Sequence, residues 1–257
     1  MNGRGFAGLG IGLALSLARV AIRAMVDLTS EMADLWASLA PPSAGQGFLV
    51  QFVAATRGEG ASTVAREFAR FAAGRATRPV WLVDLDLKAA PQYGAIEKEP
   101  ARYGRLGQPA AASPDGSAFF TVQPPARDKQ GRRIPDSHYL SGHSAGGARL
   151  WVTRFRNEML RPGQVPSVVE SGDYWAAMRR HAQVVVVDSP PAELSRAALA
   201  AAPFMDCTVL VVAADGADTR GPAALRDALE QAGGRVAGVF FNRAVIQPPR
   251  FLKALMP

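Results

Sequence analysis

One cysteine, Cys207, is all that the chain holds. It therefore has neither a disulfide framework nor a cysteine-built zinc site, and a reducing, cytosolic setting suits it. Histidine is almost as scarce, at 3 residues. His138 and His143 flank Ser141, but no third ligand stands at a metal spacing and no nucleophile turn is present, so the group reads as neither metal site nor hydrolase centre. Long apolar runs are missing too. Residues 5–18 are free of charge, which is short of the roughly 20 residues a membrane span needs. Behind Arg4, and ending Ser16-Leu17-Ala18, this run looks like the apolar region of a signal peptide. The helical pattern continuing through Arg19, Arg23, Asp27 and Glu31 speaks against that. Acids are outnumbered, 22 against 29 basic residues, for a net charge of +7 and a pI near 10.2. The cations are nearly all arginines scattered over helices and loops, without interleaved aromatics for base stacking, so a solvated surface is expected and nucleic acid is not the expected partner. The first turn lacks Gly-x-Gly-x-x-Gly and no acid is placed for a ribose, which excludes dinucleotide oxidoreduction.

What is present is organised around Ala55-Thr56-Arg57-Gly58-Glu59-Gly60-Ala61-Ser62-Thr63. An apolar run over residues 48–54 precedes it and reads as a buried parallel strand; a helical pattern begins near Thr63. Two glycines let successive backbone N–H groups point into one concavity, and the helix adds its positive end, a geometry that suits phosphate. A P-loop has Gly-Lys-Ser/Thr at this point, with Lys on the β- and γ-phosphates and the hydroxyl on Mg²⁺. This chain has Gly60-Ala61-Ser62. The cradle lacks its cation.

With 48% hydrophobic residues, residues 46–257 are expected to form one large α/β domain, a mostly parallel central sheet flanked by helices in three layers. Residues 1–45 are expected to be an amino-terminal helix and linker. The helix over 5–39 is amphipathic, with Gly8, Gly12, Ser16, Arg19, Arg23 and Asp27 on one face, opposite Leu9, Leu13, Leu17, Ile22 and Met25. It serves either a partner or membrane surface, or its own domain. A second strand over 79–84 runs into Asp84-Leu85-Asp86, placing two carboxylates where open α/β sheets put their ligands. Residues 95–170, rich in Pro, Gly, Ser and Arg, are expected to be a flexible basic insertion, with a short strand at 118–122 and a helix at 149–160. A helix at 174–181, a strand of β-branched residues ending in Asp188, and further elements at 208–214, 222–232 and 236–241 complete the pattern.

Gly58-Glu59-Gly60-x-Ser62-Thr63, Leu82-Val83-Asp84-Leu85-Asp86-Leu87, Val187-Asp188-Ser189-Pro190-Pro191 and Phe241-Asn242-Arg243 occur in that order. Together they resemble the cytoplasmic domain of bacterial tyrosine kinases of polysaccharide biosynthesis and export, P-loop proteins similar to MinD and ParA. The resemblance covers about residues 46–245. It implies ATP or ADP with Mg²⁺ in a nucleotide site made by Gly58, Glu59, Gly60, Ala61, Ser62, Thr63 and Asn242. It further implies Asp84 and Asp86 as catalytic base and metal organiser, and Ser62, Asp86 and Asp188 around Mg²⁺. Implied partners are a polysaccharide co-polymerase or another membrane export component, through residues 5–39, and a second copy of the chain in a homo-oligomer. The implied location is cytoplasmic, peripheral at the inner membrane.

Three departures qualify it. Ala61 stands where the family has Lys, and no earlier loop lysine takes over. Loss of one preorganised donor or cation costs roughly 10² to 10³ in rate on the oxyanion-hole precedent, so a pseudokinase scaffold is expected. No tyrosine follows Tyr174, so the family's tyrosine-rich tail is not expected here. Glu31 is followed by Asp34 and Ala37 rather than by the arginines of the family's subunit-contact motif. The alternative is a working nucleotide-switched ATPase of the MinD or ParA kind, acting at membrane or DNA.

Overall fold

The computed structural model describes residues 27–42, 45–147, 149–215 and 219–244. The strands in which apolar residues run continuously become the middle of the sheet, because a parallel strand covered on both faces has no polar side. β1 (Phe48–Val53) is buried along its whole length, and β8 (Val184–Asp188) is too. Around them, among the described residues, an eight-stranded sheet forms. Its parallel part runs β10 (Val236–Asn242), β9 (Cys207–Ala213), β1, β8, β2 (Val80–Asp84), β6 (Leu150–Phe155). β5 (Leu140–Ala145) and β3 (Ala110–Ala111) extend it with antiparallel pairing. This is a three-layer α/β architecture, a mostly parallel central sheet flanked by helices.

β1 sends Phe48, Val50 and Phe52 to one core and Leu49 to the other. The first core is closed by α1 (Thr29–Leu39), α2 (Ala61–Arg75), α3 (Pro91–Lys98) and α4 (Pro100–Tyr103). The opposite face is covered by α5 (Gly172–His181), α6 (Ala197–Ala201), α7 (Arg220–Gln231) and a two-stranded sheet of β4 (Phe120–Gln123) with β7 (Val165–Val168). One polar side chain lies buried within β1. Gln51 donates to Ser189 Oγ and to the Ala198 carbonyl, both at 2.9 Å, and accepts from Thr208 Oγ1 at 2.8 Å, so it carries no desolvation deficit.

The amino-terminal helix differs from expectation. Asp27 and Leu28 are not helical; Asp27 Oδ1 accepts from the Thr29 backbone N–H at 3.1 Å and from its hydroxyl at 2.6 Å. α1 therefore starts at Thr29, just after this local side-chain bond to the backbone. α1 then packs on its own domain: Met32 is buried, and the Trp36 ring lies 5.9 Å from Phe68 and 6.2 Å from Phe71. Residues 1–26, with most of the small-residue stripe, lie outside the described residues.

Residues 95–170 hold more sheet than the pattern suggests. The helix expected at 149–160 is instead β6 followed by a 3-10 turn over Asn157–Met159. Pairing with β2 overrides the local pattern: Val80 aligns with Leu150 and Leu82 with Val152, and Trp81 stacks on Trp151 at 5.3 Å.

Phe68 sits where α1, α2 and β1 meet, fully buried and 5.3 Å from Phe52. Phe68→Ala is expected to cost about 3–5 kcal/mol in a urea titration, from lost transfer energy and a cavity shared by three elements.

Candidate functional site

The carboxyl ends of the parallel strands converge on the turn between β1 and α2, because β1 sits centrally, with β8 on one side and β9 on the other. That is the crevice where open α/β sheets bind ligands. Gly58 and Gly60 both have positive φ, 92° and 96°, and Gly60 caps α2. A Cβ on Gly60 would collide with the Asn242 side chain, so this approach requires glycine.

The end of β10 ties the turn down. Asn242 Nδ2 donates to the Glu59 carbonyl at 2.8 Å, and Arg243 Nη2 donates to the Gly58 carbonyl at 2.5 Å. The structure thus brings Asn242 to the loop backbone. Two carboxylates join it from the other direction. Glu59 Oε2 accepts from Thr56 N–H at 2.9 Å, and Glu193 Oε1 accepts from Arg57 N–H at 2.6 Å. Ala61 is nearly buried as the first residue of α2, and the Thr63 N–H turns inward to the Gly60 carbonyl at 3.0 Å.

The strand-end acids lie side by side. Asp84 and Asp188 are aligned across the β2–β8 ladder and almost fully buried. Asp84 accepts from the N–H groups of Asp86 at 2.9 Å and Gln92 at 3.0 Å. Asp86 does a different job: its Oδ1 accepts from the Lys88 and Ala89 N–H groups at 3.2 and 3.0 Å and shapes the turn toward α3. Between the buried acids and the turn lies Gln92. Its Nε2 donates to Asp188 Oδ2 at 2.6 Å and to the Ser62 carbonyl at 2.8 Å, while its Oε1 accepts from Arg66 Nη1 at 2.9 Å. Asp188 Oδ1 has no partner.

Burial, and then the neighbouring Asp188 charge, push the Asp84 carboxyl well above the usual carboxylate range. Burial raises Asp188 to about 6, against the downward pull of hydrogen bonds from Gln92 and the Ser62 side chain. Desolvation dominates both, since a carboxyl out of contact with water pays to carry its charge.

Arg66 continues the network outward. Its Nε donates to the Tyr103 hydroxyl at 3.1 Å, and that hydroxyl donates to Glu67. Glu67 is buried and held by Arg70 at 3.0 Å and Arg102 at 2.8 Å. Burial pushes its carboxyl up, but the bonds from Arg102, Tyr103 and Arg70 outweigh that and hold it below the usual value.

Gln92, Arg66 and Glu193 were not legible as site residues. The one signal for Gln92 was Pro91, which marks a helix start just past the Asp84-Leu85-Asp86 segment. His143 also finds a structural place: its ring bonds the Ser141 hydroxyl at 3.1 Å and the Gly107 carbonyl at 3.0 Å. Among the described residues no cluster of three metal-ligating side chains occurs, and no helix is long and apolar enough to cross a membrane.

No protein-family model and no curated protein matches the sequence. Solved structures do resemble it. The kinase domain of VpsO is 22% identical, with TM-score 0.48 over 85% of this chain and 96% of that one. The kinase domain of the Escherichia coli tyrosine kinase ETK is 15% identical, with TM-score 0.47 over 79% and 70%. A nucleotide-binding protein from Archaeoglobus fulgidus, in complex with ADP, is also similar, at 14% identity and TM-score 0.45 over 86% and 74%.

Proposed function

We propose that this chain is a degenerate P-loop pseudokinase that acts as a scaffold or regulator in bacterial exopolysaccharide biosynthesis and export, through a membrane co-polymerase and with weak or no phosphoryl transfer. The order of the four motifs supports the family context. The observation that carries the degeneracy is Gln92, whose amide nitrogen bridges Asp188 and the Ser62 carbonyl.

The residues present do not suit a resident Mg²⁺ with nucleotide. Mg²⁺ bound with a nucleotide is usually held by one or two carboxylates together with the phosphate oxygens and waters. Here burial raises both acids, Asp188 to about 6, and the Gln92 amide N–H occupies one Asp188 oxygen. At the phosphate turn, Ala61 supplies no cation and Glu59 and Glu193 bring negative charge close to the loop. No phosphoryl-transfer step is assigned to these residues. What the arrangement does is hold the turn, three strand ends and α3 in one fixed surface.

The second reading, an ATPase switch of the MinD or ParA kind, is favoured by one feature. A cavity of about 440 Å³ lies beside the turn, lined by Arg57, Gly58, Glu59, Asp215, Pro222 and Arg243, a volume within the range of small-molecule sites. ATP turnover separates the two. The native chain is expected to hydrolyse no ATP above background, and Ala61→Lys combined with Gln92→Ala to gain measurable Mg²⁺-dependent hydrolysis. Stoichiometric turnover by the native chain would favour the switch.

A further inference from the structure

Within the stretch expected to be a flexible basic insertion, Arg127, Lys129, Arg132 and Arg133 lie on a hairpin. The Ile134 N–H donates to the Ala126 carbonyl at 2.9 Å, the Asp128 N–H to the Arg132 carbonyl at 2.9 Å, and Arg127 bridges Arg133 in antiparallel fashion. Ala126 is buried and Ile134 packs against the core, so the base is anchored while the four cations are exposed. Gly131, with φ 78°, makes the tip.

A second segment stands beside it. Arg161 Nη2 donates to the Arg127 carbonyl at 3.0 Å and Gln164 Nε2 to the Pro124 carbonyl at 2.7 Å. Val165, opposite Gln123 at the same end of the β4–β7 sheet, is 51% exposed, and Pro124 and Pro125 are exposed next to it. One end of the molecule therefore gathers five cations against two carboxylates, Asp128 and Asp136, around an apolar patch. Each carboxylate already has its arginine, Arg132 and Arg133, both at 2.8 Å.

We propose that this end, residues 124–134 with 161–165, is a docking surface for an anionic lipid bilayer. Cations surrounding a small apolar patch match a headgroup layer, where charge stays with phosphate and the apolar residue dips beneath. No aromatic stands among these residues to stack a base or a sugar. The surface lies outside the nucleotide-site residues, so it stands whether or not that site binds anything.

The test is co-sedimentation of the full chain with phosphatidylcholine vesicles and with mixed phosphatidylcholine–phosphatidylglycerol vesicles. Binding is expected only to the mixed vesicles, lost on raising salt. Each cation near such a surface is worth roughly a fivefold gain, so Lys129→Glu with Arg132→Glu is expected to weaken binding by a factor of about 20 or more. Val165→Ser, which leaves the hairpin's ion pairs in place, is expected to weaken it further. Should the double variant lose its native melting transition, the salt series and Val165→Ser carry the test alone. Unchanged binding by folded variants would overturn the proposal, as would binding to double-stranded DNA with none to vesicles.

Discussion

Asp188→Asn is expected to make the protein more stable at pH 8 and to leave it nearly unchanged near pH 4, measured as melting temperature in buffer containing a chelator. Asp188 is buried with one oxygen unpartnered, and burial raises its carboxyl to about 6 from a usual value near 3.8. A raised carboxyl means the folded state binds more protons than the unfolded one between those values. Stability is therefore full below the unfolded pKa and is lost as pH rises toward 6. The shift corresponds to at most about 3 kcal/mol at neutral pH, and relaxation of the pair with Asp84 reduces it. An amide at 188 keeps an acceptor for Gln92 and removes the charge, so a gain of a few °C is the expected size. A loss of stability at pH 8 would mean that the charge is compensated by something the network does not contain.

Glu67→Ala is expected to act in the opposite sense and more strongly, costing about 3–5 kcal/mol at neutral pH in a denaturant titration. Its carboxylate is the shared acceptor for Arg70, Arg102 and the Tyr103 hydroxyl in a buried junction of α2 with α4. Removing it leaves these donors facing one another. Because the Glu67 carboxyl is held below its usual value, its contribution is present above the unfolded pKa and lost as pH falls through the folded one. Between them, Asp188 and Glu67 oppose each other across the acid range. The variant pair separates their slopes. Glu67→Gln keeps one acceptor and is expected to fall between the native chain and Glu67→Ala.

Much of the sheet was written in the sequence because its central strands have no polar face. Val184 to Val187 cannot be satisfied on a surface, and Asp188 after them marks the strand end at the ligand side. β5 was hidden for the opposite reason. Leu-Ser-Gly-His-Ser-Ala reads as loop, yet it is almost wholly buried. Gly142 lies against the Trp81 ring, where a Cβ would clash, and Ser141 and His143 satisfy each other and Gly107. Small polar residues fit there only because a partner strand and an indole are brought from elsewhere. The same limit applied at the site. The spacing of Gly58, Gly60, Asp84 and Asp188 pointed to the crevice, and Ala61 stood out as the position where a P-loop carries lysine. Gln92 could not be found, since its role depends on α3 folding back between two strand ends. Glu193, five residues past Asp188, was likewise invisible until the chain turned back to Arg57.

The central claim of the proposed function is that Ala61 leaves the phosphate turn without its cation and Gln92 engages Asp188, so that nucleotide is not expected to bind. Calorimetric titration of the native protein with ATP, with and without Mg²⁺, tests it most directly. The account predicts no saturable binding below millimolar ATP in either condition, with binding gained by the Ala61→Lys, Gln92→Ala variant. Micromolar, Mg²⁺-dependent binding by the native chain would contradict it.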